Sequence, residues 1–222
     1  MRVLYQMWLS PFSRKVRLAL GEKKLAFEMK FEKTWERRPE YLALNPAGKV
    51  PVLVDEDGAV IPDSYAICEY LDETYPEPNL LGAAPLERAE TRRLTAWFDT
   101  LLAREVTGPL ISEKVLKSFL KMGHPDSTAI RKAGESIHPH LDYIGNLAFE
   151  RNWLAGEQIS LADLAAGAQL SSCDYLGHVP WADHPRAKDW YARLKSRPSF
   201  RPLVADYIPG LPPARNYANP DF

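Results

Sequence analysis

Two short segments contain residues that could hold a small peptide. Residues 45–51 read Asn-Pro-Ala-Gly-Lys-Val-Pro and lead into an apolar, strand-like stretch, while Asp63 and Ser64 precede apolar residues at helical spacing. The main chain of an exposed strand can pair with an extended peptide, and the free N–H groups at a helix N-terminus attract a carboxylate. The two segments therefore predict a site for a peptide that carries a carboxylate. The alternative is that Asp63 and Ser64 form only a helix N-cap.

Ser10 is the candidate for chemistry on a thiol. It lies between the first predicted strand and the first predicted helix, where a hydroxyl and the helix dipole could stabilise a thiolate, the reactive form of a thiol. Ser13, or Tyr5 at a greater distance, could do the same. Ser10 could also be only the N-cap of the first helix. The sequence leaves these alternatives open.

The composition argues against several classes of function. The 222 residues are 45% hydrophobic with a net charge of −1, which gives no reason to expect nucleic acid or an anionic membrane as partner. The sequence contains no run of about 18 apolar residues, the length that a membrane-spanning helix needs, so no membrane span is predicted. Two distant cysteines, Cys68 and Cys173, favour the reducing cytoplasm over a disulfide framework. The histidine pair His138 and His140 has no further ligand at suitable spacing, so no metal site is predicted.

The elements that would position these residues fall into two regions, with the fold class α+β. Apolar periodicity predicts a βαβ unit, a short helix or turn, and a ββα unit in residues 1–77, then a proline-rich linker at 78–86 and only helices in 87–200. The predicted strands are 3–9, 27–31, 52–54 and 60–61. The main predicted helices are 13–21, which is amphipathic, 64–75, 86–118, 127–147 and 161–176. Repeated prolines predict an extended tail at 201–222 whose aromatic residues dock on another surface.

Ser160 and Asp163 fit the N-cap and third position of the buried helix that follows them. Asp163 here replaces the usual Glu or Gln of a capping box. We expect the pair to be structural, since loss of such a cap costs about 0.5–2 kcal/mol.

The segments together resemble the glutathione transferase family. The resemblance is carried by residues 10–17 (Ser-Pro-Phe-Ser-Arg-Lys-Val-Arg), by Val50-Pro51 and Asp63-Ser64, and by residues 154–163. It implies a thioredoxin-like first domain, an all-helical second domain and a cis Val50–Pro51 bond. The glutathione site that it implies consists of Ser10, Lys49, Val50, Pro51, Asp63 and Ser64.

The resemblance also implies roles for three of these residues. Ser64 would hold the γ-glutamyl carboxylate and Asp63 would face the ammonium group, although many members have Glu where this chain has the shorter Asp63. Ser10 would be catalytic if the protein is an enzyme. A thiol reductase of the same superfamily fits less well, because it needs a cysteine at position 10.

A narrower resemblance is to the glutathione-transferase-like cell-division proteins of alphaproteobacteria, which bind FtsZ filaments. It is carried by residues 35–40 (Trp-Glu-Arg-Arg-Pro-Glu) and by the proline-rich tail. It implies a cytoplasmic homodimer at the division site that cross-links filaments, requires no cofactor and performs little or no glutathione chemistry. The alternative is an enzyme that conjugates glutathione to a small electrophile.

Eight residues are candidates for partner binding under this interpretation. Trp35 falls in the loop after the second predicted strand, where it could be an exposed binding anchor or could fold into the core. The 3- and 4-residue spacing of the lysines predicts one basic helix face, which could meet an acidic filament or be only a solvated face. The candidates are Trp35, Glu113, Lys114, Lys117, Lys121, Tyr217, Asp221 and Phe222.

Overall fold

The first part of the chain folds around a four-stranded mixed sheet. The computed structural model describes residues 1–219. The strands are β1 (Arg2–Gln6), β2 (Phe27–Phe31), β3 (Val52–Val54) and β4 (Val60–Pro62), and the helices are α1 (Pro11–Glu22), α2 (Pro39–Leu44) and α3 (Ser64–Thr74). The strand order is β2-β1-β3-β4, with β1 parallel to β2 and the other pairs antiparallel. This confirms the predicted βαβ and ββα units.

The first strand is shorter than predicted. It ends at Gln6 instead of residue 9, because the chain turns: Ser10 N–H donates to the Met7 carbonyl over 3.2 Å and Leu9 has a positive φ of 56°. This turn brings Leu9 into a cluster with Ile111 and Val115 of the helical part, while Trp8 remains against Phe31 of β2.

The second part of the chain is all-helical, which confirms the predicted α+β class. Its helices are α4 (Pro85–Ala96), α5 (Gly108–Ile111), α6 (Lys117–Phe119), α7 (Ser127–Glu150), α8 (Leu161–Tyr175), α9 (Pro185–Lys195) and α10 (Arg201–Val204). Every residue of α8 is buried. None of the helices described between residues 1 and 219 combines the length and apolar character that crossing a bilayer requires.

The predicted helix 86–118 is continuous but irregular. Two π-helical stretches, Trp97–Thr107 and Ser112–Leu116, separate α4, α5 and α6. Pro109 has no N–H to continue the regular ladder, and Gly108 N–H donates to Ala103 O instead. The 3- and 4-residue spacing rule of a regular α-helix therefore does not hold here.

The N-terminus of α8 has the predicted cap. Asp163 accepts hydrogen bonds from Ser160 N–H at 3.0 Å, from the Ser160 hydroxyl at 2.9 Å and from Leu154 N–H at 2.9 Å. A fourth bond of 3.0 Å comes from Trp190 Nε1. Burial raises the pKa of the Asp163 carboxyl despite these donors. The interpretation of Ser160 and Asp163 as a capping box is confirmed.

The predicted amphipathic helix α1 is buried on both faces, because its basic side faces the helical domain and the tail. Arg14 donates to the Ser171 hydroxyl and the Tyr217 hydroxyl, both at 2.9 Å. Asp206 accepts from Arg14 at 3.1 Å and from Arg17 at 2.7 and 2.8 Å. The tail is not simply extended up to residue 219, because it contains α10. Its predicted docking is confirmed for Tyr217, which is fully buried in a cluster with Leu9, Ile111, Val115, Tyr175 and Ile208.

Replacement of Asp206 by Asn should destabilise the protein by about 3 kcal/mol, because two buried guanidinium groups lose their counter-charge. The free energy of unfolding in urea measures this. The matched control is Asp189→Asn, an exposed aspartate for which we expect a change within about 0.5 kcal/mol. Equal stabilities for the two variants would show that Asp206 does not hold the tail in place.

Candidate ligand and partner site

A cavity of about 510 Å³ opens where the β2–β3 connection, the start of α3 and the α4 region meet. Five of the six residues predicted for a glutathione site line it: Lys49, Val50, Pro51, Asp63 and Ser64. Phe12 lies in its wall, whereas Ser10 does not. The two sequence segments therefore come together as predicted, but without the hydroxyl proposed to contact sulfur.

The main chain around Val50 forms one side of the cavity. The Val50–Pro51 bond is cis, as predicted. The Lys49 carbonyl accepts from the Tyr41 hydroxyl and from Asn45 Nδ2, each at 2.7 Å. Among residues 1–219, by contrast, no hydrogen bond involves the N–H or C=O of half-buried Val50. These two groups can pair with an incoming strand.

The N-terminus of α3 forms another side. Asp63 caps this helix, with its carboxylate accepting from Tyr65 N–H at 2.7 Å and Ala66 N–H at 3.3 Å. The N–H and hydroxyl of Ser64 have no partner within the described part of the chain. A carboxylate could accept from both, with the helix dipole adding to the attraction. Asp63 thus has the N-cap geometry, and Ser64 has the geometry of an anion contact.

Ser10 is the N-cap of α1. Its hydroxyl accepts from Ser13 N–H at 3.3 Å, and the residue is only 6% exposed. Ser13 is fully buried and its hydroxyl has no partner in residues 1–219. These contacts fit the structural alternative for Ser10. Cys68 offers no substitute nucleophile, because burial raises the pKa of its thiol to about 12.

The helical domain contributes a wall that sequence reasoning missed. Ala96, Asp99 and Thr100 line the cavity, and Asp99 forms a buried ion pair with Lys15 of α1. The pair makes this wall electrically neutral. No local signal could have identified Asp99, since it reaches the cavity only when the two domains pack.

An aromatic patch, which we define as Trp8, Phe31, Trp35 and Phe119, lies across the two domains. Ring centroids are 4.1 Å apart for Trp8 and Phe31, 5.9 Å for Trp8 and Phe119, and 6.5 Å for Phe31 and Trp35. Trp35 is 38% exposed and Phe119 is 40% exposed. A recess of about 20 Å³ lies between these rings and the side chains of Met7, Val115 and Leu116. The sequence left open whether Trp35 is exposed or part of the core, and the structure exposes it; Phe119 was not singled out.

The predicted basic stripe does not form one helix face. Lys117 pairs with Glu113 at 2.5 Å, Lys114 contacts His178, and Lys121 lies beyond α6 with a φ of 53°. The π-helical stretch Ser112–Leu116 breaks the regular spacing on which the prediction depended.

Glu113 and Tyr217 have structural contacts instead of free surface. Glu113 is buried and accepts from Asp126 N–H at 2.7 Å, which fixes the start of α7; this hydrogen bond and Lys117 lower the pKa of its carboxyl. Tyr217 is fully buried, so its prediction as a surface contact is wrong. Asp221 and Phe222 lie outside the described residues.

Comparison with known proteins identifies two family models, each matching one part of the chain, and a relative that matches its full length. Family models described as glutathione S-transferase N-terminal and C-terminal domains match residues 9–74 and 127–193. FtsZ-localized protein A of Caulobacter vibrioides is 51% identical, over 100% of this chain and 98% of that protein.

Two solved structures match over the whole chain. A glutathione S-transferase from Rhodospirillum rubrum has 55% identity and a TM-score of 0.98, with 100% of both chains covered. FzlA from C. crescentus has 51% identity and a TM-score of 0.96, with 100% of this chain and 99% of that chain covered. These matches confirm the thioredoxin-like and helical domain order that the resemblance implied.

Replacement of Ser10 by Ala should lower the free energy of unfolding by about 1 kcal/mol through loss of the N-cap. The control is Ser13→Ala, which removes a buried hydroxyl that has no partner among residues 1–219 and should cost little. Urea denaturation measures both. A stability loss confined to Ser13→Ala would contradict the N-cap role of Ser10.

Proposed function

The chain belongs to the glutathione S-transferase family, and we propose that it is a member that binds FtsZ filaments and cross-links them as a two-fold dimer, with little or no glutathione chemistry. The observation that carries the proposal is the aromatic patch. The choice of partner is supported by a relative, FtsZ-localized protein A, that is 51% identical over the full length of this chain.

The aromatic patch has the properties of a protein-binding surface. Trp35 and Phe119 expose apolar surface beside a recess lined by apolar side chains, and aromatic anchors that pack into a partner's surface dominate many interfaces. Both domains contribute rings, so the surface exists only in the assembled fold. A filament side chain that packs on this surface would contact the exposed Trp35 and Phe119 rings.

The surroundings of Ser10 support a non-catalytic role. Conjugation needs a stabilised thiolate within reach of an electrophile. The Ser10 hydroxyl is buried, caps α1 and lies outside the cavity lining. The adjacent Leu9 packs in a buried cluster with the tail residues Ile208 and Tyr217.

A two-fold dimer would explain cross-linking. Two-fold symmetry places a second, identical patch on the molecule, and two linked contacts add avidity when both can be engaged. A cytoplasmic dimer of this kind would collect at the division site, where FtsZ filaments assemble.

The alternative function is a catalytic glutathione S-transferase. The unpaired Val50 main chain and Ser64 in the 510 Å³ cavity favour it, because they retain the features of a peptide site. Conjugation of glutathione to a model electrophile tests it directly. Rapid turnover by the purified protein, without co-sedimentation with FtsZ filaments, would select this alternative.

Trp35→Ala should weaken binding to polymerised FtsZ roughly 30-fold, equivalent to about 2 kcal/mol for loss of a central anchor. Co-sedimentation over a range of filament concentrations measures it, and Phe119→Ala should have a similar effect. The control is Phe149→Ala, which removes an aromatic ring that is 69% exposed outside the patch. Equal affinities for all three variants would exclude the patch as the filament surface.

Mixed dimers of wild-type and Trp35→Ala chains separate binding from bundling. Differently tagged chains are co-expressed, and dimers carrying both tags are purified. These dimers should sediment with filaments but should not bundle them in electron micrographs, because only one patch is intact. Bundling equal to wild type, or failure to recover any dimer with both tags, would contradict the cross-linking mechanism.

A further inference from the structure

A recess of about 240 Å³ lies between the end of α7 and one face of α9. Positions 186, 189, 190 and 193 share that face, because residues three and four apart lie on the same side of an α-helix. The recess, which we call the α7–α9 recess, shares no residue with the cavity beside Val50 or with the aromatic patch. Its lining consists of Ala148, Phe149, Arg186, Asp189, Trp190 and Arg193.

Two guanidinium groups of this recess have no acidic partner in the described part of the chain. Arg186 forms no hydrogen bond or ion pair within residues 1–219, and Arg193 donates only to the Asn152 carbonyl, at 2.6 Å. Both arginines are exposed. An arginine side chain has several N–H donors and stays charged at neutral pH. The recess therefore offers two positive charges whose remaining donors are available to an anion.

Two neighbouring arginines show what Arg186 and Arg193 lack. Arg151 pairs with a glutamate of α4 at 2.9 Å, and Arg197 pairs with a glutamate of α1 at 2.7 Å. A guanidinium group binds a carboxylate or a phosphate through two parallel hydrogen bonds. Two unpaired guanidinium groups that line one recess also create a local positive field. A bound anion can supply the negative charge that the described chain does not.

Aromatic rings hold the two guanidinium groups in place. Arg186 lies 3.9 Å from the centre of the Phe149 ring, and Arg193 lies 5.0 Å from the centre of the Trp153 ring. Gly145 allows α7 to approach closely, since a Cβ there would be 3.1 Å from the Arg186 Cβ. Stacking on a ring restricts each guanidinium group before a ligand arrives, so less side-chain freedom is lost on binding.

Asp189 adds an element of selectivity to the recess. Its exposed carboxylate is part of the lining and has no partner within residues 1–219. A carboxylate repels an anion that has no proton to donate, such as sulfate. Phosphate retains a proton near neutral pH, and a phosphate ester can carry a hydroxyl group beside the phosphate. Either O–H group can donate to the Asp189 carboxylate.

The size of the recess favours a compact ligand. A volume of about 240 Å³ corresponds to about eight water molecules at roughly 30 Å³ each, and it is smaller than the roughly 300–1,000 Å³ of pockets for drug-sized ligands. A phosphate group has more acceptor oxygens than a carboxylate, so it can accept from two guanidinium groups at once.

We propose that the α7–α9 recess binds a small phosphate compound with a hydroxyl donor, either inorganic phosphate or a compact phosphate ester. Arg186 and Arg193 donate to the phosphate oxygens, and Asp189 accepts from the hydroxyl group. The recess is separate from the surface on which filament binding depends, so the outcome of its test leaves the proposed function unaffected.

Isothermal titration calorimetry of the full chain tests the site with inorganic phosphate, glycerol 3-phosphate and sulfate. All titrations use one low ionic strength, because salt screens exposed charges. Inorganic phosphate or glycerol 3-phosphate should bind at least about tenfold more tightly than sulfate. The phosphate compound that binds more tightly shows whether the ligand is the free ion or an ester.

Arg186→Gln and Arg193→Gln should each lower the affinity for that compound about tenfold, because each removes a charged donor. The matched control is Arg131→Gln, which changes an exposed arginine near the start of α7 and should leave the affinity unchanged.

Asp189→Asn provides a result that misfolding cannot imitate. Removal of the negative charge should raise the affinity for sulfate about tenfold, whereas a damaged site would lose affinity for every anion. Four outcomes would each overturn the proposal: no binding of either phosphate compound, equal affinities of the wild type for phosphate and sulfate, wild-type affinity in both α9 arginine variants, or an unchanged preference against sulfate in Asp189→Asn.

Discussion

The structure depends on the pairing of the buried basic side chains of α1 with acidic residues in the helical domain and the tail. Arg14 and Arg17 place two guanidinium groups in the seam between the domains, and Asp206 is the acid that contacts both. Such charges are tolerated in a low-dielectric seam only when a counter-charge and hydrogen bonds accompany them. The tail is therefore a structural part of the fold, since it supplies both Asp206 and the Tyr217 hydroxyl.

The same seam determines both candidate surfaces. Lys15, between the two arginines, pairs with Asp99 and thereby fixes the helical wall of the cavity. On the other side of the seam, Trp8 packs against Phe31 of the sheet and Phe119 of α6. A change in domain orientation would alter the cavity and the aromatic patch together. The geometry of the cavity and of the aromatic patch therefore depends on the ion pairs of α1 as well as on the residues that line each surface.

The sequence predicted features whose causes are local. Val50-Pro51, Asp63 at the start of α3, and the Ser160–Asp163 box are each defined by residues a few positions apart, and the structure places them as expected. Features that depend on packing were missed or wrong. Tyr217 is buried because its hydroxyl bonds Arg14 across 203 positions of sequence, and periodicity within a segment contains no information about such a contact.

The helix that carries Lys114 and Lys117 shows a second limit of sequence reasoning. Residue spacing predicts a shared face only for a regular α-helix, and the π-helical turns around Gly108 and Ser112–Leu116 remove that regularity. Pro109 offered a signal, because proline disrupts the hydrogen-bond ladder of a helix interior. Pro109 indicates that the helix is irregular, but it does not show what kind of irregularity forms. The residues that share a helix face before and after it could therefore not be assigned from the sequence.

A binding function needs less from this fold than catalysis does. Holding a strand and a carboxylate requires the Val50 main chain and the α3 N-terminus, which the thioredoxin-like domain supplies through its own backbone. Catalysis further requires a hydroxyl aimed at sulfur and open space beside it. Here the Ser10 hydroxyl caps α1, and the tail that supplies Asp206 to the two arginines packs against the adjacent Leu9. Tyr217 joins the two features, since its hydroxyl bonds Arg14 and its ring packs in the cluster that contains Leu9.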